Sequence, residues 1–584
     1  MPTDSISAPL AARGIGSLRP TLLGTRHMAV AGHYAAAHAA FAILEAGGNA
    51  VDAGVAGGLA LGVLQSDLVN VAGVAPIMLY LAGTQKIVTI SGLGTWPRAV
   101  TPDLFQRRYG GAIPHGVLRT VVPAAPDAWI TALERYGTMS FGDCAAAAIR
   151  FAGEGFPMYP LMSEMIGMHA DEYRRWPSSA EIYLPQGRPP RPGEIFVQAD
   201  LGRTLQYMVD EERAATKQGR VRGLEAARAA FYRGDIARAI VAYHEANGGL
   251  MTMDDLAAFR VEIEPPVTTR FANLDVHTAG PWCQGPAMLQ MLNLLASVDL
   301  AAMGHNSVDY AHTVTEAIKL AFADRERYYA DPRFVEVPLA TLLSAEYAQA
   351  RRALLRMNEA WPGLPPAGDV AGGLPPKPPV ATTHGAAAGA RDTSYIAVID
   401  RHGNVFSATP SDPSFDTPVI PGTGLCPSSR GSQSWADPAH PSGVAPGKRP
   451  RLTPMSVLVV GPDRSLMPLG TPGGDVQAQA LLQVLLNVTV FGMDLQRAVE
   501  APRFASYSFP DSFEPHSYSP GVLYVESRVP QRVRDGLAAR GHRITEWPEF
   551  VWRAGAVCAL RSDPSTGVIS GGADPRRPCY AVGW

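Results

Sequence analysis

Between residues 364 and 391 the chain runs through a tract that no hydrophobic core can use. Leu364-Pro365-Pro366 is followed by Leu374-Pro375-Pro376-Lys377-Pro378-Pro379 and then by Gly385-Ala386-Ala387-Ala388-Gly389. Proline removes backbone donors, and glycine and alanine bring almost no side chain to bury. The tract reads as a mobile linker over about 362–392. The segment after it has the opposite character. Residues 394–399 and 405–409 are β-rich runs joined by Asp400-Arg401-His402-Gly403-Asn404, a hairpin turn. Long structureless connections are uncommon inside compact domains. The sequence therefore divides into a large part, 1–392, and a small part, 393–584, joined at Arg391-Asp392-Thr393-Ser394-Tyr395. A length of 584 residues permits one large layered core or two or three smaller ones.

The rest of the chain alternates helical and hairpin signals. Residues 35–46 read as an Ala-rich helix stopped by Gly47-Gly48, with Asn49 as turn residue, and 51–64 as a second helix of small residues able to pack closely on a sheet. Apolar runs at 76–81 and 86–90 flank Gly83-Thr84-Gln85 as a hairpin, and 124–152 gives two helices. The stretch 160–350 is mainly helical, most clearly at 288–295 and 308–329. Two more hairpins turn at Gly461-Pro462-Asp463 and Asp563-Pro564-Ser565, and a helix over 475–490 comes directly after a Gly-Gly turn. Hairpins with flanking helices imply antiparallel sheets covered by helices, an α+β layered fold.

Bulk properties exclude several function classes. A hydrophobic share of 46% with 18% charged residues reads as a soluble globular protein. The net charge of −3 and the lack of any Lys/Arg run argue against nucleic acid or a membrane surface as partner. Met1 to Arg26 lacks the basic and apolar regions of a signal peptide, so a cytoplasmic location is expected, with the periplasm as the alternative. Five scattered cysteines give no disulfide or zinc framework. The 14 histidines show no paired ligand spacing, and no Rossmann or P-loop fingerprint occurs, so neither a metal nor a cofactor is expected.

Thr393 is where chemistry concentrates. If the Asp392–Thr393 bond is cut, Thr393 carries a hydroxyl and a free α-amine in one residue. An α-amine titrates near about 7.7–8.0, so a useful fraction is unprotonated at neutral pH and can activate the hydroxyl. The plain alternative is a threonine that opens an edge strand. Gly470-Thr471-Pro472-Gly473-Gly474-Asp475 leaves a strand and enters a helix. Its glycines let backbone N–H groups approach a ligand, and the helix start favours negative charge, as an oxyanion site requires. A tight turn with Asp475 as N-cap is the structural alternative.

The ordered set of short motifs resembles the γ-glutamyltranspeptidase family. It comprises Glu45-Ala46-Gly47-Gly48-Asn49-Ala50-Val51-Asp52-Ala53, Gly304-His305-Asn306-Ser307, Phe322-Ala323-Asp324-Arg325 with Asp331-Pro332, and Pro421-Gly422-Thr423-Gly424. Gly447-Lys448-Arg449-Pro450, the Thr-Pro-Gly-Gly turn, Phe491-Gly492-Met493-Asp494, Ala501-Pro502-Arg503-Phe504 and Gly572-Ala573-Asp574-Pro575-Arg576-Arg577 continue it. The resemblance covers about 27–584. It implies a four-layer αββα N-terminal-nucleophile hydrolase, made as one inactive chain that cuts itself into a large subunit, 1–392, and a small one, 393–584. Thr393 would form an acyl-enzyme from a small-molecule amide and release it to water or an amine acceptor. Gly473 and Gly474 match the family's oxyanion pair, and Ser411, with Thr409 nearby, matches a hydroxyl that supports the nucleophile. Thr382-Thr383-His384 copies the family's nucleophile tripeptide but precedes linker rather than a strand, so Thr393 is preferred.

The substrate positions depart from the family. Its α-carboxylate-binding Arg aligns with Leu93, its acidic residue falls near Ser432-Gln433, and its serine pair falls at Leu452-Thr453. Its Gly-rich loop is reduced to Asn70-Val71-Ala72-Gly73-Val74-Ala75-Pro76. Gln433 and Thr453 remain as polar candidates. Arg98, Arg430 and Arg451 are substitute carboxylate anchors, each also readable as a structural arginine, and Trp96 and Trp435 are candidate pocket walls. The leading function is hydrolysis of a small acyl amide. The alternatives are a true γ-glutamyltransferase or glutathione hydrolase, and an uncut, inert binding protein. A zwitterionic glutamyl head needs both a cation and an anion when buried. Release of anilide from a γ-glutamyl anilide is therefore expected to be about 100-fold slower than for a family member holding both partners.

Overall fold

The computed structural model describes residues 16–370 and 392–584. The proline run at 374–379, the Thr382-Thr383-His384 tripeptide and the Gly-Ala stretch at 385–389 lie outside the described residues. Among those described, two seven-stranded antiparallel sheets lie face to face. The first runs Tyr580–Gly583, Met28–Ala31, Ile396–Ile399, Val405–Ala408, Ile77–Leu81, Lys86–Ile90, Ile263–Glu264. The second runs Leu22–Gly24, Val568–Ala573, Cys558–Asp563, Leu466–Gly470, Ser456–Val460, Leu274–Thr278, Val267–Phe271. Both sheets contain strands from before and from after position 393.

The period-two alternation of each strand builds the layers. Ile396 and Val398 join one apolar cluster with the helices Tyr34–Glu45 and Ala50–Leu64, while Tyr395, Ala397 and Ile399 face the second sheet. Val457 and Val459 face the helices Gly285–Leu295, Val308–Tyr328 and Val476–Thr489, and Leu458 faces back between the sheets. The result is helix, sheet, sheet, helix: the α+β, four-layer arrangement expected from sequence. No helix among the described residues is long and apolar enough to cross a membrane.

The short motif at 45–53 has a mechanical reading. Asn49 caps the helix Ala50–Leu64, its side chain accepting from Val51 and Asp52 N–H, and the Asp52 carboxylate returns the bond to Asn49 N–H at 2.9 Å. Asp52 also accepts from Thr138 N–H at 2.8 Å, and Ala50 N–H donates to Asp400 at 3.0 Å. One capping box thus ties the helix to its neighbour and to the hairpin turn after Thr393.

Two expectations are corrected. The first part of the expected mobile linker is pinned: Leu364 N–H donates to Tyr518 Oη at 2.7 Å, Gly368 N–H to Asp324 at 2.8 Å, and Tyr328 Oη–H to Gly368 O at 2.6 Å. Prolines removed some donors there, but the Leu364 and Gly368 amides find side-chain partners. Trp96 and Trp435 are both packed against neighbouring side chains. Trp96 is buried beside Val100 and Phe105, and Trp435 is sandwiched between His440 and His516 at ring separations of 4.0 and 3.9 Å.

The helix Ala50–Leu64 is buried along its whole length, so small residues are required where it crosses the sheet. A Cβ on Gly54 would overlap the ring of Phe406, which itself stacks near Trp129. Gly54→Ala is expected to lower stability by about 1–3 kcal/mol, measured as a reduced midpoint in urea unfolding.

Candidate active site

Thr393 is fixed by backbone pairing on the sheet side. It bridges Ser411 in antiparallel fashion, and Ser394 N–H donates to Pro410 O at 3.0 Å. Ser411 is in turn laced to Val74, its N–H donating to Val74 O at 3.0 Å and its carbonyl accepting from Val74 N–H at 3.1 Å. The shortened loop at 70–76 therefore holds the residue next to Thr393. Gly73 has to lack a side chain, because a Cβ there would collide with Ser411 O.

Side chains converge on the Asp392–Thr393 peptide. Thr393 Oγ1 lies 2.8 Å from Ser411 Oγ, and Ser411 Oγ donates to the Asp392 carbonyl at 2.8 Å. A serine hydroxyl has one proton. With that proton on the Asp392 carbonyl, Ser411 Oγ accepts from Thr393 Oγ1–H and from the Arg430 guanidinium, which also contacts it. Gln477, in the first turn of the helix Val476–Thr489, donates to Thr393 Oγ1 at 3.3 Å while its own carbonyl accepts from Met455 N–H at 3.2 Å. Thr393, Asp392 and Ser411 are all buried.

The Gly473-Gly474 turn sits against the same peptide. Both residues have positive φ, 129° and 56°, a conformation that favours glycine. The Gly473 amide faces the Asp392 carboxylate. Gly474 O accepts from Gln284 Nε2 at 2.9 Å. Asp475 does not cap the helix with its side chain, as the structural alternative for this turn required. Its carboxylate instead accepts from Ser512 N–H at 2.7 Å and pairs with Arg325.

Asp392 is itself heavily engaged. Its carboxylate accepts from Thr393 N–H at 2.9 Å and pairs with Arg577. Burial pushes this carboxyl above the usual carboxylate range, with Arg577 opposing the shift. Asp412, in a strained left-handed conformation at φ 136°, accepts from Ser428 Oγ, Ser429 Oγ and Ser429 N–H at 2.6, 2.6 and 2.9 Å and lies 3.6 Å from Arg430.

The other expected residues separate into two groups. Arg430 lies at the centre just described. Arg98 is exposed, on a loop tied by its own N–H to Asp255 at 3.0 Å. Arg451 is buried against Glu326 at 2.7 Å, a structural ion pair. Gln433 and Thr453 bond each other at 2.9 Å. The Thr409 hydroxyl is engaged between the sheets, donating to Met455 O at 3.0 Å and contacting Ser456 Oγ at 2.7 Å. Sequence reasoning missed Gln477, Asp412, Asp67 and Arg577. Position one turn beyond the Gly-Gly pair was a usable signal for Gln477, whereas Arg577 was quoted only as part of a motif. Among the described residues, His312, Glu316 and His542 could group around a metal, but His312 Nδ1 already lies 2.9 Å from His542 Nε2 and Glu316 pairs with Lys319 at 2.7 Å.

Known proteins resemble this chain in sequence and fold. The model of the family described as Gamma-glutamyltranspeptidase matches residues 36–584. Acylase ACY 1 proenzyme of Pseudomonas sp. (strain SE83) is 33% identical over 569 residues, 94% of this chain and 92% of that protein. Among solved structures, LmbA2991T421A aligns with TM-score 0.90 and 35% identity over 97% of this chain and 100% of that one. The cephalosporin acylase from Bacillus halodurans aligns with TM-score 0.83 and 28% identity, over 100% of this chain and 98% of that one.

Ser411 Oγ–H points at the carbonyl oxygen on which charge would develop if Thr393 attacked Asp392. Ser411→Ala is expected to slow scission of that bond by about 10²–10³-fold, followed as loss of full-length chain on a denaturing gel.

Proposed function

The chain belongs to the γ-glutamyltranspeptidase family, and on that premise we propose that it is a threonine amidohydrolase activated by scission of its own Asp392–Thr393 bond. The supporting observation is the chain of contacts from Thr393 Oγ1 through Ser411 Oγ to the Asp392 carbonyl. Thr393 Oγ1 attacks that carbonyl, the C–N bond breaks, and the hydroxyl proton passes to the departing nitrogen, leaving an ester between Thr393 and Asp392. Water hydrolyses the ester. Thr393 then begins the small subunit, 393–584, with its α-amine free to serve as base.

In later turnovers the same hydroxyl takes the acyl group of a small amide. Its proton goes to the α-amine and from there to the leaving amine. The Gly473 and Gly474 amides supply the oxyanion donors, Gln477 orients Thr393 Oγ1, and Arg430 orients Ser411. Water, or an amine acceptor, then releases the acyl group. Leu93, buried among apolar residues, offers no cation where a glutamyl carboxylate would need one, so hydrolysis of a non-glutamyl amide is favoured over γ-glutamyl transfer. The resemblance to an acylase proenzyme supports this preference.

Purified protein is expected to give two bands corresponding to 1–392 and 393–584, with N-terminal sequencing of the smaller reading Thr-Ser-Tyr. Thr393→Ala is expected to give one band and no amidase activity. A smaller fragment beginning elsewhere, or activity in an uncut chain, would overturn the assignment.

A further inference from the structure

The residue that precedes Thr393 is, chemically, the acyl part of a substrate. Asp392 presents a carbonyl to Thr393 and carries a carboxylate separated from it by two carbons, so the bond to be cut is that of a substituted succinyl amide. The ester formed in self-scission is an acyl-enzyme of the same kind as those of later turnovers. The groups that hold the acyl portion the first time are therefore candidates to hold it every time.

Ser411 holds the carbonyl end at 2.8 Å. The carboxylate end is held by Arg577, which also donates to Trp552 O at 3.1 Å, and in the uncut chain by Thr393 N–H at 2.9 Å with the Gly473 amide facing it. Arg577 differs from its neighbour in the same motif. Arg576 is spent on Asp574 and Glu526, at 3.1 and 2.6 Å, whereas Arg577 is turned toward the Asp392–Thr393 junction. Arg577 is 4% exposed, and its Nε and Nη1 have no hydrogen-bond partner among the described residues. Departure of Asp392 would leave a buried guanidinium without its counter-ion, a costly state that an incoming anion relieves.

The other carboxyl within electrostatic reach does not supply that anion. Asp67 is 2% exposed, and neither of its oxygens has a hydrogen-bond partner among the described residues. Burial pushes its pKa up to about 8, with Arg577 opposing the shift and Asp392 adding to it. In the uncut chain Asp67 is therefore mostly protonated at neutral pH and adds little to the compensation of Arg577.

Building on the function proposed above, we propose that Arg577 binds the distal carboxylate of the acyl group in the mature enzyme, and that its substrates are mono-amides of short dicarboxylic acids with a succinyl-like spacing. In the uncut chain Asp392 occupies this subsite.

The test compares matured enzyme with the uncut Thr393→Ala chain. Matured enzyme should hydrolyse succinyl p-nitroanilide with a kcat/KM at least about 100-fold above that for butyryl p-nitroanilide, which matches its length without the carboxylate. By calorimetry, succinate should bind matured enzyme at least about 100-fold more tightly than it binds the uncut chain, where Arg577 is already paired. In Arg577→Lys the succinyl-to-butyryl ratio should fall at least about 10-fold. If that variant does not mature, the two wild-type measurements decide. Enzyme cut at Thr393 that treats both anilides alike, or binds succinate no better than the uncut chain, overturns this inference and leaves the proposed amidohydrolase standing. A chain never cut at Thr393 overturns the amidohydrolase itself.

Discussion

The backbone ladder from Val74 through Ser411 to Thr393 is the constraint on which the site depends. Both Val74–Ser411 backbone bonds are made, and Ser411 pairs with Thr393 on its other side. A ladder fixes more than distance. It fixes which face each side chain leaves from, so the Ser411 hydroxyl and the Thr393 hydroxyl leave on the same side and meet. A one-residue slip would turn Ser411 away and bring Pro410 or Asp412 opposite Thr393. The strands Ile396–Ile399 and Val405–Ala408, inserted between Met28–Ala31 and Ile77–Leu81, make such a slip expensive because every inward residue would exchange layers.

Buried charge is the second constraint. Arg503, Arg576, Asp574 and Glu526 form one network behind the second sheet, and Arg325, Arg451, Glu326 and Asp475 form another beneath the glycine turn. In the second, burial would raise the Glu326 carboxyl, yet Arg451 and Arg325 hold it below the usual range. Pairs of this kind contribute little net stability, but breaking one leaves an uncompensated charge, so they resist rearrangement. The glycine turn is thereby held from below by Asp475 and from the side by Gln284. That rigidity is what a set of pre-oriented amide donors requires.

Much of the fold and part of the site were legible in the sequence because they rest on local rules. The helix after Gly47-Gly48-Asn49, the hairpin through Asp400–Asn404 and the Gly473-Gly474 turn each declare themselves within a few residues. Arg577, Asp67 and Asp412 could not be read that way. Arg577 comes after an arginine of identical chemistry, and only the three-dimensional path separates one that braces Glu526 from one that meets Asp392. Asp67 lies in an apolar stretch, and its lack of partners is a property of space. The pairing of Arg451 escaped the sequence for the same reason: its partner, Glu326, lies far away in the chain, near the end of the helix Val308–Tyr328. The first residues of the Pro-rich tract misled because composition speaks to core-building and says nothing of the few amides that Tyr518 and Asp324 engage.

The choice of Thr393 over the adjacent Ser394 rests on strand geometry. Both residues carry a hydroxyl, and both are buried. Successive side chains on an extended segment leave from opposite faces. The Thr393 hydroxyl therefore meets Ser411 and Gln477 beneath the glycine turn, whereas the Ser394 hydroxyl turns toward Gly32, whose absent side chain makes room for it, and has no hydrogen-bond partner among the described residues. Among the described residues the first position combines a hydroxyl, a neighbouring hydroxyl that accepts its hydrogen bond and a preceding carbonyl that is already hydrogen-bonded. Moving the cut one residue on would yield an N-terminal serine whose hydroxyl faces Gly32, so under the proposed function the register of a single strand selects between two similar residues.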